Sequence, residues 1–281
     1  MTVREFVLSE ESWPAMPATH HAFLRTIVAR LRDDDAVVGL AAGGSLILGR
    51  VDDYSDLDLL VIVDPAAWPG ILERRQQIAA GLGPLLAAFI GDHVGEPRLF
   101  ICLFGPPLVH VDLKFVTPGQ LASRVEDPIV LWDRHGAVRD GLAAGRAPYP
   151  QPDLQWIEDR FWVWVHYAAT KIGRGELFEV LDACAFLRAR VLGPLVLQQA
   201  RAQPNGVRRL EQVAPTWATR MRDTVAAYDI REIIRAVRAA IDVYRDLREA
   251  SSRSTLQRRS GAEEAAIAYF ERVAAATVGA A

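Results

Sequence analysis

Cysteine is almost absent from this chain. Cys102 and Cys184 are the only two, each set among apolar neighbours, which excludes a disulfide framework and a cysteine-based zinc cluster. No apolar stretch approaches the roughly 20 residues that a membrane-spanning helix needs. The opening stretch, Met1 to Trp13, mixes acids, Arg4 and polar residues and has no apolar core of the signal-peptide kind. The expectation is a cytoplasmic protein with no membrane partner. An excess of positive charge is missing too. A net charge of -3 and a pI near 6.1 argue against a long phosphate-backbone interface, so no long nucleic acid is expected as partner. Lysine is the scarcest charged residue: of 32 basic residues, all but Lys114 and Lys171 are arginine. Such a skew fits a biased codon supply. The two remaining lysines are candidates for positions where a compact ammonium must approach phosphate, with chance survival as the alternative.

What is present is ample material for a core. The chain has 281 residues, 51% hydrophobic and 24% charged, enough for one large domain or two ordinary ones. Helical spacing of Phe23, Ile27, Val28 and Leu31 predicts a helix within 14–34. Ala36 to Ala42 reads as a buried strand, and Asp56 to Asp64 as the next. A helix is predicted over Trp68 to Gly81. Two strands, Leu99 to Phe104 and Leu108 to Val116, are joined across Gly105-Pro106-Pro107 as an antiparallel pair, with a short strand at Ile129 to Trp132. Ala143 to Pro152, rich in glycine and proline, is the linker candidate. Beyond it the pattern is helical, over roughly 154–172, 176–201, 216–227, 230–249 and 262–277. The expected class is α+β, with a mixed-sheet domain over 1–150 and an α-helical domain over 151–281.

The stretch that carries chemistry is Gly43-Gly44-Ser45, ten further residues, then Asp56-Leu57-Asp58-Leu59. In a strand, residues two apart point to the same face, so Asp56 and Asp58 present their carboxylates side by side. That suits a pair of Mg²⁺ ions about 3.5–4 Å apart, the arrangement for in-line displacement at phosphorus. Hard carboxylate oxygens are what Mg²⁺ selects, and it retains positions for nucleotide phosphates. The glycine turn permits close backbone approach and offers amide and hydroxyl donors to phosphate. In Val109-His110-Val111-Asp112-Leu113-Lys114-Phe115, alternation places His110, Asp112 and Lys114 on one face. Asp112 there can complete a metal site or accept a proton from an incoming hydroxyl.

These residues together resemble the nucleotidyltransferase domain of the DNA polymerase β superfamily. Size and a helical second half are similar to its small-molecule members, the aminoglycoside and lincosamide nucleotidyltransferases. The motif resemblance covers 36–116. It implies a polymerase β-like N-terminal domain, Asp56, Asp58 and Asp112 as catalytic and Mg²⁺-binding acids (Asp112 as ligand or general base), and Gly44 and Ser45 as triphosphate ligands. It also implies a lysine of the helical half on the nucleotide phosphates, for which Lys171 is the candidate. The implied reaction moves a nucleoside monophosphate, AMP from ATP, onto a hydroxyl of a small molecule such as an aminoglycoside-like antibiotic, with two Mg²⁺ ions. Nucleotidylation of a protein or RNA, and a catalytically silent nucleotide-binding module, are the alternatives. Acceptor, base preference and oligomeric state stay open.

Other residues carry two readings. Ile157, Phe161, Trp164, Ala168 and Ile172 fall on one stripe and read as core. Lys171 is equally suited to a helix C-terminus through the macrodipole. Lys114 reads as a salt-bridge partner in the Asp112 cluster. Glu176, Glu179 and Asp182 suit the first turn of a helix, and they also suit the wall of a pocket for a polycationic acceptor. His110, His166 and Arg50 read as solvated or locally satisfied groups.

Overall fold

The computed structural model describes residues 13–251 and 256–279. The reading of the N-terminal stretch rests on residues outside that range, apart from Trp13. Two compact units divide the chain, one ending at Tyr149 and the other beginning at Pro150.

The first unit opens with α1 (Ala18–Arg32), whose buried His20, Leu24, Ile27, Val28 and Leu31 recur at helical spacing. β1 (Val37–Ala42), the short α2 (Gly44–Ile47) and β2 (Leu57–Val63) follow. Next come α3 (Trp68–Glu73), α4 (Arg75–Leu82), β3 (Leu85–Gly91), β4 (Glu96–Phe104) and β5 (Val109–Val116). A 3₁₀ turn at Pro118–Ser123, β6 (Ile129–Asp133) and α5 (Ala137–Ala143) complete it. The six strands form one mixed sheet in the order β3-β4-β5-β2-β1-β6. Only β2 and β5 run parallel; the other neighbours are antiparallel.

One face of this sheet packs under α1 and α4, burying Leu57, Leu59, Val61, Val111, Leu113 and Phe115. On the other face only one end is covered. There Ile62 and Val116 sit in a cluster with Leu121 of the 3₁₀ turn and Val138 and Leu142 of α5. Strand alternation sends Asp58 and Asp112 to this second face, beyond the covered end.

Helices α6 (Leu154–Gly173), α7 (Leu177–Leu187), α8 (Gly193–Gln199), α9 (Leu210–Val213), α10 (Pro215–Arg222), α11 (Ile230–Ser251) and α12 (Ser260–Gly279) build the second unit. Asp153 caps α6 by accepting from the Gln155 and Trp156 amides. Its core stripe runs through Ile157, Phe161, Val165, Ala168 and Ile172, while Trp164 is only partly buried. The reason is angular: at about 100° per residue Trp164 falls about 20° outside the Ile157 edge of an arc that extends the other way to Val165. Inside this unit the Glu158 carboxylate is fully buried. It accepts from Tyr244 Oη (2.6 Å), Trp162 Nε1 (3.2 Å), the Arg259 amide (2.9 Å) and Arg248 Nη1 (3.2 Å). Burial pushes its pKa up, but these donors outweigh burial and hold it below the ordinary value.

Several expectations needed revision. The helix expected over 68–81 is two helices meeting at Arg74. That over 176–201 is interrupted by a π-helical segment, Arg188–Leu192. β3 was absent from the sequence reading because Leu-Leu-Ala-Ala-Phe-Ile-Gly has no alternation. It is an edge strand exposing Leu86 and Phe89, so neither face imposes a clean pattern. Among the described residues no helix is long and apolar enough to cross a membrane.

Candidate metal centre

Asp56 lies just ahead of β2, at the end of a pinned loop. Asp52 Oδ1 accepts from the Tyr54 amide (3.0 Å) and from Ser55 Oγ (2.8 Å). The Ser55 carbonyl accepts from His20 Nε2 of α1 at 2.7 Å. This tethering fixes where Asp56 begins its turn into the sheet. Asp58 is one residue inside β2, and the parallel register sets it directly opposite Asp112 of β5. The three half-buried acids each offer a carboxylate oxygen, and these oxygens all lie within 4.8 Å of one another.

Burial raises the Asp112 pKa, the His110 charge opposes this, and the Asp56 charge raises it further. His110 Nε2 lies 3.0 Å from Asp112 Oδ1 on the same strand face, with its side chain 48% exposed. Lys114, two residues on, ion-pairs with Glu96 at 2.7 Å. The structure thus gives Asp112 a histidine partner where the sequence offered a lysine. The register sets Lys114 opposite Leu99, near the start of β4 where Glu96 sits.

The Gly43-Gly44 turn leans on Asp58. The Gly43 amide donates to the Asp58 carbonyl at 2.8 Å. Gly44 has φ +56°, and a Cβ there would stand 1.9 Å from Asp58 Oδ2. Its amide donates to Glu126 Oε1 at 3.2 Å. Glu126 lies far along the chain between the 3₁₀ turn and β6 and belongs to no motif, so sequence spacing carried no trace of it. Ser45 Oγ, on the residue that follows Gly44, is buried without a hydrogen-bond partner.

These residues fit a hard divalent cation. Oxygens on one Mg²⁺ at about 2.1 Å stand up to about 4.2 Å apart, close to the spread of the three carboxylates. Three acids in one half-buried place also repel one another unless a cation is present. Bound Mg²⁺ would be held by Asp56, Asp58 and Asp112 and would neutralise phosphate charge.

Lys171 belongs to the second unit. Its ammonium ion-pairs with Glu176 and lies 5.3 Å from the centroid of the Tyr167 ring. Tyr167 Oη in turn donates to Glu179 at 2.6 Å. Glu179 and Asp182 line a cavity of about 330 Å³ whose other walls are Trp164, Tyr167, Phe186 and Leu187.

No family model matches the chain, and no curated protein does. Among solved structures the chain is similar to an aminoglycoside 6-adenyltransferase from Bacillus subtilis. The identity is 13% and the TM-score 0.35, over 91% of this chain and 96% of that one.

Proposed function

We propose that this protein is an Mg²⁺-dependent nucleotidyltransferase that moves AMP from ATP onto a hydroxyl of a small molecule. The single observation carrying this reading is the convergence of Asp56, Asp58 and Asp112 beside a glycine turn with an unsatisfied buried hydroxyl at Ser45. A carboxylate trio alone fits many cation sites. A trio flanked by phosphate-type donors fits metal-assisted phosphoryl chemistry.

In this reading Gly44 and Ser45 donate to the phosphates, and the Gly44 amide exchanges Glu126 for a phosphate oxygen. The acceptor oxygen bonds to the α-phosphorus as the bond to the bridging oxygen breaks, and pyrophosphate departs. The acceptor proton goes to Asp112, whose raised pKa suits a proton acceptor, and the exposed His110 passes it to water. Lys171 is assigned a phosphate contact, on the strength of its retention as lysine. The aromatic and acidic lining of the Trp164–Asp182 cavity suits an amine-bearing small molecule, since cations are attracted to both aromatic faces and carboxylates.

The test is Mg²⁺-dependent pyrophosphate release from ATP against a panel of amino sugars and other polyols, with protein and RNA acceptors alongside. Release only with a small hydroxyl compound supports the reading. Release only with protein or RNA moves the acceptor to the alternative class. ATP binding without release for every acceptor leaves a silent nucleotide-binding module.

A further inference from the structure

The open face of the sheet carries a second feature beside the acids. Two residues along from Asp58 and Asp112, Leu60 and Lys114 are the next registered pair on that face. With Val116 they line a cavity of about 340 Å³, together with Arg98 of β4 and Ser123 and Arg124 at the end of the 3₁₀ turn. No carboxylate lines it, and three cations do.

The cations are held in place by ion pairs and hydrogen bonds. Glu96 serves two at once: Arg98 Nε at 2.7 Å and Lys114 Nζ at 2.7 Å. Arg98, with Lys114 adding, holds Glu96 down to about 2 against the effect of burial. Arg124, with its side chain only 7% exposed, pairs with Asp127 and donates to the Leu121 and Leu142 carbonyls at 3.1 and 2.9 Å. Two carboxylates, Glu96 and Asp127, thus pair with the three cations. Lys114 has three N–H donors, and its ion pair with Glu96 engages one of them.

We propose that this cavity is a phosphate subsite. It takes a phosphate group of a molecule whose reacting end lies over the three acids. An ammonium, a guanidinium and a hydroxyl over an apolar floor of Leu60 and Val116 make a donor-lined place for charge-assisted hydrogen bonds to an anion. Two residues along a strand span roughly 7 Å, so a single small molecule reaches from Lys114 to the acids. The phosphate belongs either to the nucleotide tail or to the acceptor. Only this question of source rests on the nucleotidyl-transfer reading.

Calorimetric titration of the full chain with pyrophosphate and with glucose 6-phosphate tests the assignment. Each is run on the wild type with Mg²⁺ and on an Asp56→Asn/Asp58→Asn/Asp112→Asn variant without metal, where neither acid repulsion nor a metal contributes. Lys114→Gln is expected to weaken phosphate binding about tenfold in both backgrounds, Lys114→Arg to retain most of it, and Arg238→Gln to leave it unchanged. Competition between ATP and pyrophosphate at the Lys114-dependent site identifies the nucleotide tail as its source. Glucose 6-phosphate binding alongside ATP identifies the acceptor. Equal affinity of Lys114→Gln and its parent in both backgrounds overturns the proposal, as does loss of all phosphate binding in the metal-free variant. Because binding is read without turnover, an enzyme that transfers nothing leaves this result intact.

Discussion

Asp58 occupies the space that any side chain at position 44 would need: a Cβ on Gly44 would stand 1.9 Å from Asp58 Oδ2. The backbone there is left-handed as well, at φ +56°, which costs a non-glycine residue about 1 kcal/mol. Gly44→Ala is expected to displace the Asp58 carboxylate and cut nucleotide transfer at least about a hundredfold, a loss of transition-state stabilisation near 2.7 kcal/mol. Steady-state kinetics with a Mn²⁺ titration of the same variant checks both effects. An alanine variant of normal activity and metal affinity would show that Asp58 is dispensable there.

Asp112→Asn keeps shape and removes the charge. Transfer is expected to fall by about 10²–10⁴, the range for a lost general base. Far-UV circular dichroism should be unchanged, because the residue is only half-buried on an otherwise intact strand. Direct Mn²⁺ titration separates the two roles: unchanged affinity with lost turnover assigns Asp112 as base, and weakened affinity assigns it as ligand.

Glu126 holds the Gly44 amide that the proposed function gives to phosphate. Removing its charge by Glu126→Gln is expected to lower the KM for ATP a few-fold without changing Mn²⁺ affinity. A rise in KM would assign Glu126 to positioning the turn.

Lys171 is held by Glu176 and the Tyr167 ring. If it contacts phosphate, Lys171→Gln raises the KM for ATP about tenfold, whereas a purely structural lysine at a helix end loses only about 0.3–1 kcal/mol of stability. Kinetics and urea denaturation of one preparation distinguish the two.

Glu96 supplies a pH signature. Its pKa is lowered to about 2, so the ionised carboxylate stabilises the fold above its unfolded value near 4.5. That contribution is lost as pH falls through about 2. Glu96→Gln is expected to be about 1–3 kcal/mol less stable than wild type at pH 7, with the gap closing between pH 4.5 and 2. Denaturation midpoints across that interval measure it, and a constant gap sinks the linkage.

The division into a sheet unit and a helical unit was legible because strand-type segments stop before Pro150 and only helical spacing follows. Asp56, Asp58 and Asp112 were legible because each alternates with apolar residues, Asp58 and Asp112 inside strands and Asp56 just ahead of one. That they meet in space depends on β5 pairing parallel with β2, which no local pattern reveals. Glu126, Glu96 and Arg98 were illegible for a different reason. They act through loops and strand ends, where a charged residue looks the same whether it is solvated or engaged. β3 was missed because an alanine-rich edge strand has neither alternation nor a turn chemistry of its own.

The parallel pairing of β2 with β5 has one further consequence. The two strands are joined by a long excursion through α3, α4, β3 and β4, so bringing Asp58 to Asp112 closes a loop that holds all four elements. A cation bound by both acids would therefore act as a clasp on the sheet's parallel pairing, between strands whose acids are 54 residues apart in sequence. Divalent ions should slow unfolding of this unit selectively, and hydrogen exchange of the β2 and β5 amides should report it.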